Sequence, residues 1–313
     1  MIRNNERVAI LLATHNGEKY LPELLESLIA QTYKDFQLFV SDDASIDDSV
    51  KILNSYSSEF KNEIKVINNT EKFGNACKNF LFLLENVESE IFLFCDQDDV
   101  WLESHVQDLL VEYDSSSCHD KPVLVHSDLC VVDKDLNIIS KSFFEYSKIP
   151  EYQNKQLYFL QNNITGCVSL VNEVLKEYIF HNSMVLHNNE NLIPMHDVFM
   201  GSVAAYFGEI RFLKKPLILY RQHENNVLGA KNVKGLKYIL KRITSAKKDT
   251  YKDEYIVFWI DYFKGELENS DLKLLCGYLE RKNKNLFVRD FFLIKEHFLK
   301  TGMLRKLNQL LFK

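Results

Sequence analysis

Short apolar runs alternate with helix-spaced segments through the first hundred residues. Residues 7–17 (RVAILLATHNG) are apolar and end in polar and glycine positions, the pattern of a buried strand meeting a loop. Residues 21–33 (LPELLESLIAQTY) put Leu21, Leu24, Leu25, Leu28 and Ile29 at helical spacing. The same alternation follows: FQLFVSDDAS as strand, IDDSVKILNSYSSEF as helix, IKVINN as strand, NACKNFLFLLENV as helix and EIFLFC as strand. A βαβαβαβ order predicts an α/β fold with a parallel sheet and helices on both faces. In open sheets of that kind a ligand sits outside the carboxyl ends of the strands. Polar clusters stand at three of those ends: Thr14-His15-Asn16, Ser41-Asp42-Asp43 and Asp96-Gln97-Asp98-Asp99.

The rhythm changes near residue 121. PVLVHSDLCVVD, TGCVSLVN and EIRFLKKPLILYRQH read as strands with longer joins, and HNNENLIPMHD as an Asn-rich loop. Residues 1–230 are therefore read as one continuous α/β unit with an elaborated second half. From residue 231 the pattern is helical and basic. GLKYILKRI places Leu236, Ile239, Leu240 and Ile243 on one face, and residues 285–313 repeat the theme with more aromatics.

Composition sharpens this division. The chain has 313 residues, 46% hydrophobic, and a net charge of −6. Residues 1–230 carry 19 Lys and Arg against 34 Asp and Glu, whereas residues 231–313 carry 19 against 10. A cationic amphipathic extension beside an acidic body predicts contact with an anionic membrane surface; the alternative is a helical cap with a solvated basic face. Nucleic acid is not expected, because the aromatics lie on the apolar face and not among the cations. No apolar run reaches the ~18 residues of a membrane span, and the N-terminal run has no small-residue cleavage site. The six cysteines are scattered without a CxxC pair, so neither zinc nor a disulfide framework is expected. These features predict a cytoplasmic protein, peripheral on the inner face of the membrane.

The stretch EIFLFCDQDDVW supplies the candidate chemistry. Asp96 and Asp98, two apart just beyond a buried strand, are placed to aim into one crevice, and oxygen-rich sites suit Mg²⁺ or Mn²⁺. Capping of the following turn is the simpler role for any single Asp. An EF-hand loop opened at Asp96 fails, since its sixth and twelfth positions are Trp101 and Gln107 instead of Gly and Glu. DQDDV also matches the D-x-D-x-[TV] signature of haloacid-dehalogenase-type phosphatases. That signature opens the first strand of such proteins, and here three strand–helix units precede it.

The segments VAILLATHNGEKYLPELLESLIAQTY, FVSDDASIDDS, CDQDDVW, NNITGCVSLVN, MHDVFM and PLILYRQHENNVLG, in this order across residues 8–230, resemble the family 2 glycosyltransferases of the GT-A fold, in particular the bacterial rhamnosyltransferase-like branch. The resemblance implies an inverting, metal-dependent transferase using a dTDP- or UDP-linked sugar, with rhamnose as a candidate. The acceptor it implies is a growing cell-surface polysaccharide or a polyprenyl-diphosphate-linked saccharide. It implies that Thr14, Asn16 and Glu18 hold base and ribose, and that Asp42 or Asp43 contacts the base, both being equally placed to cap the next helix. Asp98 is implied as direct metal ligand, Asp96 as ligand of ribose or metal, and Asp99 as a further sugar contact. Asp197 of MHDVFM is implied as the base, with N-capping of the VFMGSVAAYF helix a compatible role. His223 is implied at the metal or diphosphate, Arg221 on phosphate oxygens, and Gly166 as a point where backbone approaches the donor sugar. His126 and Asp128 are assigned no role. Related sequences usually read His-Asp-Trp where this one has His196-Asp197-Val198, which bears on the acceptor pocket. The alternative within the same pathway is a catalytically inactive membrane-bound scaffold.

Overall fold

The computed structural model describes residues 2–3, 6–67, 72–224, 249–302, 305–306 and 309–310. The predicted helix around Leu236–Ile243 lies outside the described residues.

Strands β1 (Ile2–Arg3), β2 (Val8–Thr14), β3 (Phe36–Asp42), β4 (Lys65–Val66), β5 (Val87–Glu88) and β6 (Ile91–Asp96) alternate with helices α1 (Leu21–Ile29), α2 (Ser49–Tyr56) and α3 (Ala76–Asn86). Beyond them come β7 (Val100–Trp101), α4 (His105–Asp114), β8 (Val123–Val132), β9 (Ile138–Ser140), α5 (Phe143–Ser147), β10 (Ser169–Asn172), α6 (Glu173–Phe180), α7 (Ser183–Asn189), α8 (His196–Phe207) and β11 (Glu209–Arg221). Three further helices follow: α9 (Asp249–Tyr262), α10 (Asn269–Leu279) and α11 (Leu286–Lys295).

Among the described residues the main sheet runs β4-β3-β2-β6-β10-β8-β11-β7, with β9 beside β8 and a separate β1–β5 pair. The β2–β3, β2–β6 and β3–β4 pairings are parallel, as the alternating pattern predicts. The second half departs from it: β10 wedges antiparallel between β6 and β8, β9 and β7 pair antiparallel with β8 and β11, and β11 returns parallel to β8. An apolar run looks the same in either direction, so its sequence does not reveal this reversal.

Both faces of the sheet are covered. Val8, Ile10 and Leu12 of β2 pack on one side with α1, α2 and α4, whereas Ala9 and Leu11 pack on the other with α3, α6, α8 and α9. Period-two alternation thus feeds two cores, which is why the strand reads as a continuous apolar run. The second core extends past residue 249: Tyr255 and Trp259 of α9, and Phe263 just beyond it, are fully buried against Phe159, Phe199 and Phe207. α9 is therefore a cap on the α/β unit.

His126, central in β8, is fully buried between Phe144 and Phe212, and neither ring nitrogen has a hydrogen-bond partner among the described residues. Burial alone lowers its pKa to about 3. Because the folded value lies below the unfolded value of about 6.5, the neutral ring's contribution is complete above pH ~6.5 and drains away as pH falls toward 3. His126→Phe is expected to reduce the acid-induced drop in melting temperature between pH 7 and pH 5 relative to wild type, as followed by circular dichroism. An equal drop in both proteins would refute it.

Candidate active site

Parallel register brings the strand ends level. Thr14 pairs with Asp42, and Ala13 with Asp96, so the three polar clusters share one edge of the sheet. The loop after β2 turns through Asn16 in the left-handed region (φ 50°), which an Asn side chain tolerates. Its amide donates to Ser45 Oγ at 2.8 Å, and Asn16 Oδ1 accepts from the Ile46 amide at 2.9 Å. Glu18 Oε2 accepts from the Asp48 amide at 3.0 Å. Asn16 and Glu18 are both exposed along this edge.

Several residues expected at the donor are hydrogen-bonded within the protein. Thr14 is buried, and its hydroxyl donates to Asp42 Oδ1 at 2.8 Å; Asp42 also accepts from the amide and hydroxyl of Ser45 at 2.8 and 2.6 Å. Thr14 is thus a strut under the loop, its hydroxyl engaged by Asp42. Asp43 is buried and accepts from the Phe73 and Gly74 amides, at 2.5 and 2.7 Å. Neither Asp caps α2, whose N-terminal residue Asp48 makes no side-chain cap. Asp42 is the less buried of the two.

The D-x-D turn is held by a strand that composition hardly marks. Val100 and Trp101 form β7 and pair antiparallel with Leu219 and Ile218 of β11, which sets residues 221–223 beside residues 98–99. His223 Nε2 lies 2.7 Å from Asp98 Oδ2. Arg221 is 2% exposed; its Nε donates to the Asp98 carbonyl at 2.8 Å, its Nη1 to the Lys134 carbonyl at 3.0 Å, and its Nη2 to Glu23. Its backbone amide donates to Asp99 Oδ1 at 3.0 Å. The guanidinium expected on phosphate oxygens clamps the acidic turn, with carbonyl and carboxylate acceptors around it. Tyr20 closes this corner, with His223 stacked on its ring at 5.0 Å and the Arg221 guanidinium 4.7 Å from the ring centre.

Carboxylates crowd the crevice. Burial, and secondarily the Asp98 charge, push Asp96 up to about 7, with Asp197 adding to the effect. Asp99 is fully buried and raised well above the usual range by the same causes, and its Oδ2 has no hydrogen-bond partner among the described residues. Ligand atoms of Asp96, Asp99 and Cys167 lie within 4.8 Å of one another. Burial keeps the Cys167 thiol protonated by raising its pKa well above normal, which unsuits it to a hard cation. Asp98 and His223, paired at 2.7 Å beside Asp96, offer the hard oxygens and the imidazole that suit a divalent ion.

Asp197 stands in the first turn of α8, one residue inside the helix and not at its cap, where the helix dipole favours a carboxylate. It is 8% exposed and Oδ1 has no hydrogen-bond partner among the described residues. Burial pushes its pKa up to about 7, opposed by backbone amides that include those of Val198 and Gly166. Gly166 is tightly approached, but by protein: a Cβ there would lie 2.9 Å from His196 Cε1. That side of Gly166 packs on His196, whose ring is buried against Phe80 at 4.3 Å.

Sequence reasoning passed over Tyr20, Glu23, Gln97 and Cys167. Gln97 lay inside the quoted DQDD; it binds both the amide and the carbonyl of His15, at 2.8 and 3.0 Å, and so bolts the β2 loop to the acidic turn. Nothing local distinguishes the other three.

A crevice across the carboxyl ends of a mostly parallel sheet, with a D-x-D turn below and a buried carboxylate on a facing helix, is the layout of a GT-A sugar-nucleotide transferase. Sequence comparison narrows the class, for the pattern described as "Glycosyl transferase family 2" matches residues 9–179. The chain belongs to that family and is a glycosyltransferase. It is 29% identical to the dTDP-rhamnosyl transferase RfbG of Shigella flexneri over 252 residues, covering 78% of this chain and 81% of that protein. It is 23% identical to the glycosyltransferase GlyG of Streptococcus pneumoniae, covering 72% of this chain and 73% of that one. The crystal structure of Staphylococcus aureus TarS 1–349 in complex with UDP-GlcNAc superposes with a TM-score of 0.53 at 19% identity, covering 97% of this chain and 86% of that one. With the family shown, the phosphatase alternative falls: Asp96 ends the third long strand of a glycosyltransferase sheet.

Proposed function

We propose that this chain transfers a sugar, with inversion, from a nucleoside-diphosphate donor to a hydroxyl of a growing cell-surface polysaccharide or its polyprenyl-diphosphate carrier. A dTDP-linked donor such as dTDP-rhamnose is favoured by the similarity to RfbG, which extends over most of both chains. The observation that carries the reading is Asp197: a buried carboxyl with a pKa near 7 whose Oδ1 has no hydrogen-bond partner among the described residues, close enough to the acidic turn to raise Asp96. A general base works best when its pKa lies near the working pH.

In the step envisaged, Asp197 takes the acceptor's hydroxyl proton as that oxygen bonds to the anomeric carbon. The carbon–oxygen bond to the diphosphate breaks on the opposite face, and its electron pair leaves with the nucleoside diphosphate. Asp98, His223 and Asp96 would hold Mg²⁺ or Mn²⁺. When bound, such an ion offsets the charge growing on the departing diphosphate. Asn16, Glu18 and Asp42 line the edge where base and ribose would lie. Arg221 and Asp99 keep the turn rigid from beneath. Residues 1–230 form the catalytic unit in this reading, and the remainder holds it at the inner face of the membrane.

A thermal-shift screen of nucleotide sugars with and without Mn²⁺ tests donor and metal together. A donor at 100 times its dissociation constant stabilises the folded state by about 2.7 kcal/mol. We expect a dTDP-sugar to raise the melting temperature only with Mn²⁺ present. No shift with any nucleotide sugar would favour the inactive scaffold.

A further inference from the structure

Helix α11 is built inside out. Along α11, Phe287 is 90% exposed, Phe291 68% and Ile294 56%, flanked by exposed Leu286 and Val288. Positions 287, 291 and 294 are four and three apart, so they form one stripe on one face of the helix. The inward face carries Leu293 and, less expectedly, Arg289, both buried, with Arg289 donating to Asp290 and to the Leu310 carbonyl. Phe292 lies against Gly277 of α10, where a Cβ would come to 3.1 Å of the ring. The helix is thus anchored through its polar-containing face and presents its apolar one to solvent. A soluble monomer seldom leaves such a patch open without a use for it.

We propose that this stripe is the surface through which the chain enters the interface of an anionic lipid bilayer. The surrounding charge identifies the occupant. Of the cations in residues 280–313, Arg281, Arg289 and Lys300 are buried, whereas Lys282, Lys295 and Lys306 are exposed and Lys284 and Arg305 half-buried, against Glu280, Asp290 and Glu296; Lys295, on the helix itself, is 66% exposed at its side chain and pairs with Glu296 at 3.3 Å. Anionic headgroups complement that surface while the phenyl rings enter the acyl boundary, the division of labour of an interfacial helix. A second copy of the chain fits poorly. A two-fold contact through the same stripe would bring two cationic margins together. The inference deepens the membrane placement within the proposed function and rests on that part of it alone.

Flotation of the full chain with phosphatidylcholine vesicles containing 30% phosphatidylglycerol, about 30 mol% being enough to give a strongly negative surface, provides the test. Wild type is expected to float with these vesicles, to stay behind with pure phosphatidylcholine, and to be released by high salt. The exposed-site double substitution Phe287→Ser with Phe291→Ser keeps every charge and is expected to lower the bound fraction at least tenfold, its melting curve and donor-induced shift unchanged. If the variant floats like wild type, the stripe is not the contact, and the membrane placement stands through other residues. If wild type does not float, both fall. A dimer by sedimentation that the double substitution makes monomeric would assign the stripe to a second copy and overturn the proposal.

Discussion

Asp197→Asn is expected to lower sugar transfer by 10²–10⁴-fold while leaving the calorimetric heat of donor binding unchanged, the range that loss of a general base produces. The amide is isosteric, so the first turn of α8 and its packing against Gly166 and His196 survive. What is lost is the capacity to take a proton. The same residue predicts the pH profile. Burial holds the carboxyl near 7, and only the ionised form acts as base. Wild-type kcat/KM should therefore climb about tenfold per pH unit below 7 and flatten above it. In Asp197→Asn that limb should disappear. Unchanged transfer by the variant, or a wild-type profile flat between pH 5 and 8, would remove Asp197 from its assigned place.

Asp98→Ala should be nearly as damaging, by a different route. It removes the oxygen facing His223 Nε2 and the charge that acts on both Asp96 and Asp99. Loss of a comparable electrostatic element costs about 10²–10³-fold in turnover. Here the donor-induced thermal shift should also lose its dependence on Mn²⁺, which Asp197→Asn should retain. Asp98→Asn separates charge from shape, because the amide can still hydrogen-bond His223. If Asp98→Asn behaves like wild type with Mn²⁺, charge at this position is not what the reaction needs.

The two residues were not equally legible. The D-x-D turn stood out because three carboxylates after a buried strand conflict with the pattern around them, and such conflicts collect at functional sites. Asp197 emerged only through resemblance, since an Asp near a helix start is commonplace. Other assignments shifted once neighbours were known. Thr14 and Arg221 carry suitable chemistry, but Asp42 and the Asp98 and Lys134 carbonyls engage it internally. Gly166 does mark a close approach, and its neighbour is His196. Along the sheet, the parallel first half followed from alternating periods, whereas the antiparallel insertion of β10 left no local trace.

The amino-acid order alone determined the strands of the first half, their parallel pairing, and hence the meeting of three polar clusters at one edge, because apolar periodicity and chain connectivity act locally. Tertiary structure decided what those groups are able to do. Asp98 meets His223 across 125 residues only because β7 pairs with β11. Asp197 acquires its raised pKa only from the burial that surrounding elements impose. The outward Phe stripe of α11 depends on which face α10 takes up. Desolvation and charge coupling are set by neighbours in space, and a linear sequence does not state who they are.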